Sequence, residues 1–149
     1  MMIRRDRAMT AVAVMLDIAF HAGRGEEVTG GAEVAGRLGA ARRGIEPVFQ
    51  ALSRAGLLDS LRGPNGGYRL GRRPRDISLS EVVAAVTENE AEPGDPAGRL
   101  QAAVVAPLWQ EMSDLLRERL AGLTLEDLLR RAQAAGLKRP ASEPLNFAI

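Results

Sequence analysis

The stretch that decides the fold runs from residue 41 to residue 70 and reads ARRGIEPVFQALSRAGLLDSLRGPNGGYRL. In its first half, apolar side chains recur at three- and four-residue spacing, which is typical of one buried helix face. These side chains are Ile45, Val48, Phe49, Leu52 and Ala55. Pro47 is compatible with a helix because first-turn N–H groups have no intrahelical partner to lose. The spacing predicts a helix that begins near Arg43 or Gly44 and ends at Gly56, where a left-handed residue is expected.

The second half of the stretch predicts a β-hairpin. Leu57, Leu58 and Leu61 form a short apolar strand, and Tyr68 to Leu70 return after the turn. In the turn, residues 63–67 read GPNGG; the proline pre-sets the backbone and the glycines allow positive φ. The hairpin is therefore predicted from local turn chemistry.

Arginines flank both of these elements. They stand at the helix start (Arg42, Arg43), before the hairpin tip (Arg62) and after it (Arg69, Arg72, Arg73, Arg75). One interpretation is a solvated basic face. The one we favour is a winged helix-turn-helix, in which one helix enters the major groove and the wing contacts the neighbouring backbone or minor groove.

Composition limits the class of protein. The 149 residues are 46% hydrophobic but only 3% aromatic, so we expect one domain, or one domain with a dimerisation extension, around a Leu/Val/Ala core. There is no cysteine, which excludes disulfides, cysteine nucleophiles and cysteine-ligated iron–sulfur clusters. Neither a membrane-spanning run nor a signal-peptide pattern is visible, so a cytoplasmic protein is expected.

Charge divides the chain into two halves. Residues 1–75 carry 13 arginines against 7 acidic residues, whereas residues 76–149 carry 7 basic against 12 acidic residues. A basic first half favours contact with a polyanion, and an acidic second half favours contact with a partner or a second copy.

Two segments resemble a known family. Residues 54–86, RAGLLDSLRGPNGGYRLGRRPRDISLSEVVAAV, are similar to the wing signature of the IscR/NsrR/CymR-type winged-helix regulators, where an Arg-Gly-Pro-x-Gly-Gly-Tyr run is typical. Residues 11–20, AVAVMLDIAF, are similar to the first helix of that family. The resemblance implies a dimeric transcriptional regulator. Cluster-binding relatives hold three cysteines in the loop at 88–98, which reads ENEAEPGDPAG here, and a ligand histidine of some relatives aligns with Pro107. A member without an iron–sulfur cluster, and with no cofactor, is therefore expected.

The expected DNA contacts lie on the recognition helix and the wing. They are Arg42, Arg43, Glu46, Gln50, Arg62, Asn65 and Arg69. Arginine suits phosphates and base edges, a glutamate accepts from a cytosine amino group, and a glutamine reaches a base edge. The family resemblance supports Glu46 and Arg62, but Pro47 replaces a glutamine that relatives often carry. Ala40 and Ala41 offer no side-chain cap, so a DNA phosphate would meet free N–H groups at this helix start.

A long helix is predicted from Leu100 to Leu120, with Pro107 as either a kink or the start of its regular part. Its apolar seam consists of Leu100, Val104, Leu108, Met112, Leu115 and Leu116. Such a seam is either intramolecular core or a dimer interface. Because a helix that follows a flexible linker has little of its own domain to cover it, we expect a dimer. The predicted layout is a winged helix-turn-helix at 1–87, a linker at 88–98, dimerisation helices at 99–135 and a tail at 136–149.

These patterns predict a mainly α protein that regulates transcription as a homodimeric repressor of a near-palindromic operator, with a small molecule or a protein as effector. The alternative is a winged-helix module that binds protein rather than specific DNA. An enzyme is not expected, because His21 is the only histidine and no metal-spaced cluster or phosphate-binding loop accompanies it.

Overall fold

The computed structural model describes residues 5–22, 27–87 and 96–140, without the side chains of Arg5, Arg42 and Arg43. Within these ranges the chain forms six α-helices and one antiparallel hairpin, which confirms the predicted mainly α winged helix-turn-helix. The helices and strands are α1 (Arg5–His21), α2 (Gly31–Leu38), α3 (Arg42–Arg54), β1 (Leu58–Leu61), β2 (Gly67–Leu70), α4 (Leu79–Val86), α5 (Ala106–Ala121) and α6 (Leu125–Ala134).

Helix α1 is the centre of the core. Its broad apolar stripe packs against α3, α4 and α6, so that Val14, Met15 and Ile18 are completely buried. From α3, Phe49 and Leu52 close the other side of this cluster. The stripe is wide because α1 is covered by several elements at once.

The helix-turn-helix consists of α2, a short turn and α3. Gly39 ends α2 in the left-handed conformation, with φ 63°, and the N–H of Ala40 donates to the carbonyl of Ala35 at 2.9 Å. Helix α3 then begins after Ala41, which supplies no side-chain cap. The predicted absence of a cap at this helix start is confirmed.

The wing is a hairpin with a third, single-residue strand. Its register pairs Leu58 with Leu70 and Ser60 with Tyr68. From the segment before α2, Thr29 exchanges two backbone hydrogen bonds with Tyr68, at 2.9 and 2.8 Å. A Cβ at Gly67 would overlap the carbonyl of Thr29, so glycine is required for this close approach. The wing is thereby fastened to the segment that leads into α2.

A short helical turn follows the wing. Pro74–Asp76 form a 3₁₀ turn, because Pro74 pre-sets the first helical φ and Asp76 accepts from Arg73 at 3.0 Å. Helix α4 follows with a capping box, in which the N–H of Glu81 donates to the Ser78 hydroxyl at 3.2 Å.

The predicted long helix is not regular throughout. Gln101–Val105 form a π-helical segment, closed by a bond from the N–H of Ala106 to the carbonyl of Gln101, and α5 begins only at Ala106. Pro107 therefore marks the start of the regular helix. A proline ring crowds the carbonyl four residues earlier, and a wider turn relieves that crowding.

Helix α6 returns to the winged domain. The N–H of Leu79 donates to the carbonyl of Leu123, and the N–H of Leu125 donates to the carbonyl of Ile77, both at 2.9 Å. Leu125 is completely buried in the same core as α1. Residues 88–95 of the predicted linker and residues 141–149 of the predicted tail lie outside the described residues, and the domain boundaries stay a prediction.

Candidate nucleic-acid interface

Helix α3 turns one face away from the core. Because Ile45, Phe49 and Leu52 are buried, the opposite face carries Gln50, which is exposed, and Glu46, which is half-buried. The backbone of Arg42 and Arg43 forms the first turn of α3, whereas their side chains lie outside the described residues. Four-residue spacing places positions 42, 46 and 50 along one side of the helix.

The wing tip presents two further predicted contacts. Arg62 and Asn65 are both exposed, on the turn between β1 and β2. Arg62 forms no ion pair with any described residue, so its charge is available to a ligand. The turn itself is closed by a bond from the N–H of Gly66 to the carbonyl of Gly63 at 2.9 Å.

Arg69 is placed differently from the tip residues. It stands opposite Asp59 in the hairpin register, with its Nε 3.5 Å from a carboxylate oxygen of Asp59. Its side chain is 41% exposed, and ion pairs of this kind contribute at most about 1 kcal/mol. A phosphate would therefore compete with Asp59 for Arg69 rather than meet a free cation.

The wing and α3 are held together by stacked aromatic rings. The rings of Phe49 and Tyr68 are 4.3 Å apart between centroids and 6° from parallel. The start of α2 fits closely against both rings, since a Cβ at Gly31 would lie 3.4 Å from Tyr68 and 3.5 Å from Phe49. This three-way contact fixes the wing beside the recognition helix.

A partly buried ion pair near the wing was missed by the sequence reasoning. Arg37 of α2 donates from Nε and Nη2 to the carboxylate of Asp17 in α1, the shortest bond being 2.7 Å. The same Nη2 donates to the Thr29 hydroxyl at 3.0 Å. The hydrogen bond to Asp17 raises the pKa of Arg37 above its usual value. One feature of the sequence indicates such a pair: Asp17 is the only charged residue between positions 11 and 20, so an apolar helix carries a single carboxylate that needs a partner.

Arg54 is a second cation that was not predicted as a contact. It is exposed in the last turn of α3, and with Arg7 and Gly44 it lines a groove of about 300 Å³ between α1 and α3. It extends the basic surface beside the recognition helix toward the start of α1.

The predicted seam, which runs from Leu100 through the π-helical segment into α5, is exposed in the single chain. Its six residues have between 46% and 80% of their surface accessible, and Val105 and Trp109 beside it are also exposed. The seam continues into an apolar groove of about 700 Å³, whose walls include Met9 of α1, Val83 of α4 and Leu116 of α5. Monomeric proteins rarely expose apolar surface of this extent.

Comparisons with known proteins agree with this geometry. Residues 5–131 match the model of the Rrf2 family, which is described as an iron-dependent transcriptional regulator. The HTH-type transcriptional regulator IscR of Aliivibrio salmonicida is 34% identical over 125 residues, which are 80% of this chain and 72% of that protein. IscR of Photobacterium profundum is 36% identical over 124 residues, 80% of this chain and 71% of that protein.

Solved structures show the same fold. T. potens IscR has a TM-score of 0.68 at 28% identity and covers 90% of both chains. CymR, the global cysteine regulator of B. subtilis, has a TM-score of 0.64 at 28% identity, over 88% of this chain and 98% of that one. In the part of the chain that the structure describes, no helix is long and apolar enough to cross a membrane.

Proposed function

This chain belongs to the Rrf2 family of transcriptional regulators, and from that premise we propose that it represses transcription as a homodimer bound to a near-palindromic operator. The observation that carries the proposal is the pairing of an outward polar face on α3 with an exposed, basic wing tip fixed beside it. A helix in the major groove with a wing on the neighbouring backbone uses both surfaces at once.

Each predicted contact has a role in this proposal. Glu46 and Gln50 read base edges, glutamate as an acceptor for a cytosine amino group. The uncapped first turn of α3, with Arg42 and Arg43, meets a phosphate, since its N–H groups are free and the helix dipole is positive there.

The wing supplies a second set of contacts. Arg62 and Asn65 reach the backbone or the minor groove from the tip, and Arg69 adds a phosphate contact if it exchanges Asp59 for DNA. Of the two arginines in the wing, Arg62 contributes more to DNA affinity, because it forms no ion pair with any described residue whereas Arg69 is paired with Asp59.

The proposed dimer forms along α5 and the π-helical segment that precedes it. A second copy would cover the exposed seam defined by Leu100, Val104, Leu108, Met112, Leu115 and Leu116. A two-fold axis through this interface would present two α3 helices to half-sites about one helical turn apart, at roughly 34–36 Å. The acidic character of the second half of the chain directs DNA toward the winged domains and away from the dimer helices.

The iron of the family description does not fit this chain as a cysteine-ligated cluster. The sequence has no cysteine, and the described residues hold no group of three or more His, Cys, Asp or Glu side chains that would bind a metal ion. We propose instead that a small molecule or a protein partner is the effector, and that the protein acts in the cytoplasm.

The experiment selects bound fragments from genomic DNA of the source organism and then measures binding to the enriched site by fluorescence anisotropy. We expect affinity that falls as salt rises and that exceeds binding to random DNA by about a thousandfold. Arg62→Ala should weaken binding by about 1–3 kcal/mol if Arg62 contacts a base, or reduce the salt slope by about one if it contacts phosphate.

Arg130→Ala is the matched control. It removes an exposed arginine from α6, whose surface lies outside the proposed DNA interface, and should leave affinity unchanged. Equal, weak binding to all DNA would contradict a sequence-specific regulator. No retention on DNA at low salt would instead favour the protein-interaction module.

A further inference from the structure

The carboxylate of Asp17 lies in the apolar core beneath the wing. Only 8% of its side chain is exposed, and it shares helix α1 with the completely buried Val14 and Ile18. An unpaired carboxylate is costly at such a position, so its partner must be nearby and well aligned. The partner with the shortest contacts is Arg37, twenty residues further along the chain, and Nδ1 of His21 lies 3.4 Å from the same carboxylate.

The guanidinium group of Arg37 donates hydrogen bonds to two separate parts of the chain, helix α1 and the segment before α2. Its Nε donates to both carboxylate oxygens of Asp17, at 3.1 and 3.0 Å, and its Nη2 donates to one of them at 2.7 Å. The same Nη2 reaches the hydroxyl of Thr29 at 3.0 Å. A bidentate pair of this kind specifies direction as well as charge, which a lysine would not do.

Thr29 is the point at which this pair reaches the wing. Its backbone forms both hydrogen bonds of the single-residue strand with Tyr68, and its carbonyl lies against Gly67 at the start of β2. Tyr68 in turn stacks on Phe49 of the recognition helix. A continuous set of contacts therefore runs from the core of α1, through the base of the wing, to α3.

We infer that Asp17 and Arg37 are positioning residues for DNA recognition, which hold Thr29, and with it the wing, at a fixed angle to α3. The inference rests on the proposed function, because it states how two DNA-contacting surfaces are held in one geometry. Neither residue contacts DNA itself. Both act through the wing, whose tip arginine makes the contact.

A double-mutant cycle separates this role from a general effect on stability. Asp17→Asn keeps the size of the side chain but removes its charge, and Arg62→Ala removes the wing contact. We expect each single variant to bind the selected operator about tenfold more weakly, and the double variant to bind scarcely more weakly than Arg62→Ala alone. Losses that multiply to about a hundredfold would overturn the inference, because the two sites would then act independently.

Glu33→Gln is the matched control in the same cycle. Glu33 also pairs with Arg37, at 3.7 Å, but its side chain is 70% exposed and makes no contact with Thr29 in the described structure. Removing that charge should leave operator affinity unchanged. A loss equal to that of Asp17→Asn would show that the charge of Arg37, and not its link to the wing, sets affinity.

Thr29→Val repeats the cycle with less risk to folding. It removes the acceptor for Arg37 while keeping the β-branched shape and both backbone bonds to Tyr68. The same non-additivity with Arg62→Ala is expected, and additive losses would again overturn the inference. If the wild-type protein shows no specific binding, the proposed function fails and the cycle is decided by the structural readout below alone.

The single tyrosine of the chain provides that structural readout. With 3-fluorotyrosine incorporated, the ¹⁹F NMR spectrum of the full-length protein contains one protein resonance, from Tyr68. Asp17→Asn and Thr29→Val should shift or broaden it without DNA, whereas Glu33→Gln should not. An unchanged resonance in both of the first two variants would refute a link between the ion pair and the wing.

Discussion

Replacing Leu115 by alanine tests whether α5 forms the dimer interface. Leu115 keeps 62% of its surface exposed in the single chain. Full burial of a leucine contributes about 1.5–3 kcal/mol, so burial of this fraction against a second copy contributes about 1–2 kcal/mol in each protomer. Two-fold symmetry repeats the contact, and truncation to alanine forfeits most of it in both copies. The loss is then about 2–3 kcal/mol per dimer, which raises the dimer Kd by about 30- to 150-fold.

Sedimentation equilibrium over a wide concentration range measures this Kd directly. The control is Leu137→Ala, which removes the same atoms from a leucine with 59% exposure that follows α6 instead of lying on α5. Leu137→Ala should leave the dimer Kd unchanged. The reasoning fails if Leu115→Ala also leaves it unchanged, or if both variants weaken the dimer equally.

Three further changes probe the fold that presents the site. Ser78→Ala removes the hydroxyl that caps α4 and should lower the free energy of unfolding in urea by about 1 kcal/mol, whereas an unchanged midpoint would exclude a stabilising cap. The backbone hydrogen bond from Ser78, followed by Arg72, lowers the pKa of Glu81. The ionised carboxylate of Glu81 stabilises the folded state fully at pH values above its unfolded-state pKa, and this contribution is lost as the pH falls through its lower folded-state pKa. Glu81→Gln should therefore make the free energy of unfolding depend less on pH in the acid range. Gly67→Ala would press a Cβ against the Thr29 carbonyl and should destabilise the protein by about 1–3 kcal/mol in thermal unfolding, while Gly36→Ala, with open space around it, should not.

Local patterns predicted the helix-turn-helix and the wing well. The start of α3 lies within two residues of the predicted start. These elements were accessible because their signals are contained in a few neighbouring residues: a 3.6-residue apolar period, the left-handed residue expected and found at Gly56, and the GPNGG turn.

Contacts between residues far apart in the sequence could not be predicted from local patterns. The pairing of Asp17 with Arg37 joins two helices, and no local pattern states which charged residues meet across a core. The engagement of Arg69 by Asp59 depends on the hairpin register, which the sequence reasoning did not assign. The charge of an arginine is visible in a sequence, whereas its partner is a property of the fold.

The π-helical segment before Pro107 shows a third kind of limit. The sequence left two roles for that proline, a kink or a helix start, because both are compatible with a missing N–H. The structure shows a helix start preceded by a wider turn. The choice between them depends on how the preceding residues accommodate the ring.

The way in which α5 is anchored bears on how the proposed dimer would be arranged. Leu123, two residues after the last residue of α5, is fixed by its carbonyl, which accepts from the N–H of Leu79 at the start of α4. Immediately beyond it, Leu125 is locked into the core beside α1. The C-terminal end of α5 is therefore held at a fixed point on the winged domain, while Leu108 and Leu115 of the same helix stay exposed. Sixteen residues of α-helix extend about 24 Å from this anchor. A second copy, related by two-fold symmetry, offers a surface of matching length and chemistry, and it would set the separation of the two recognition helices through the same rigid anchor.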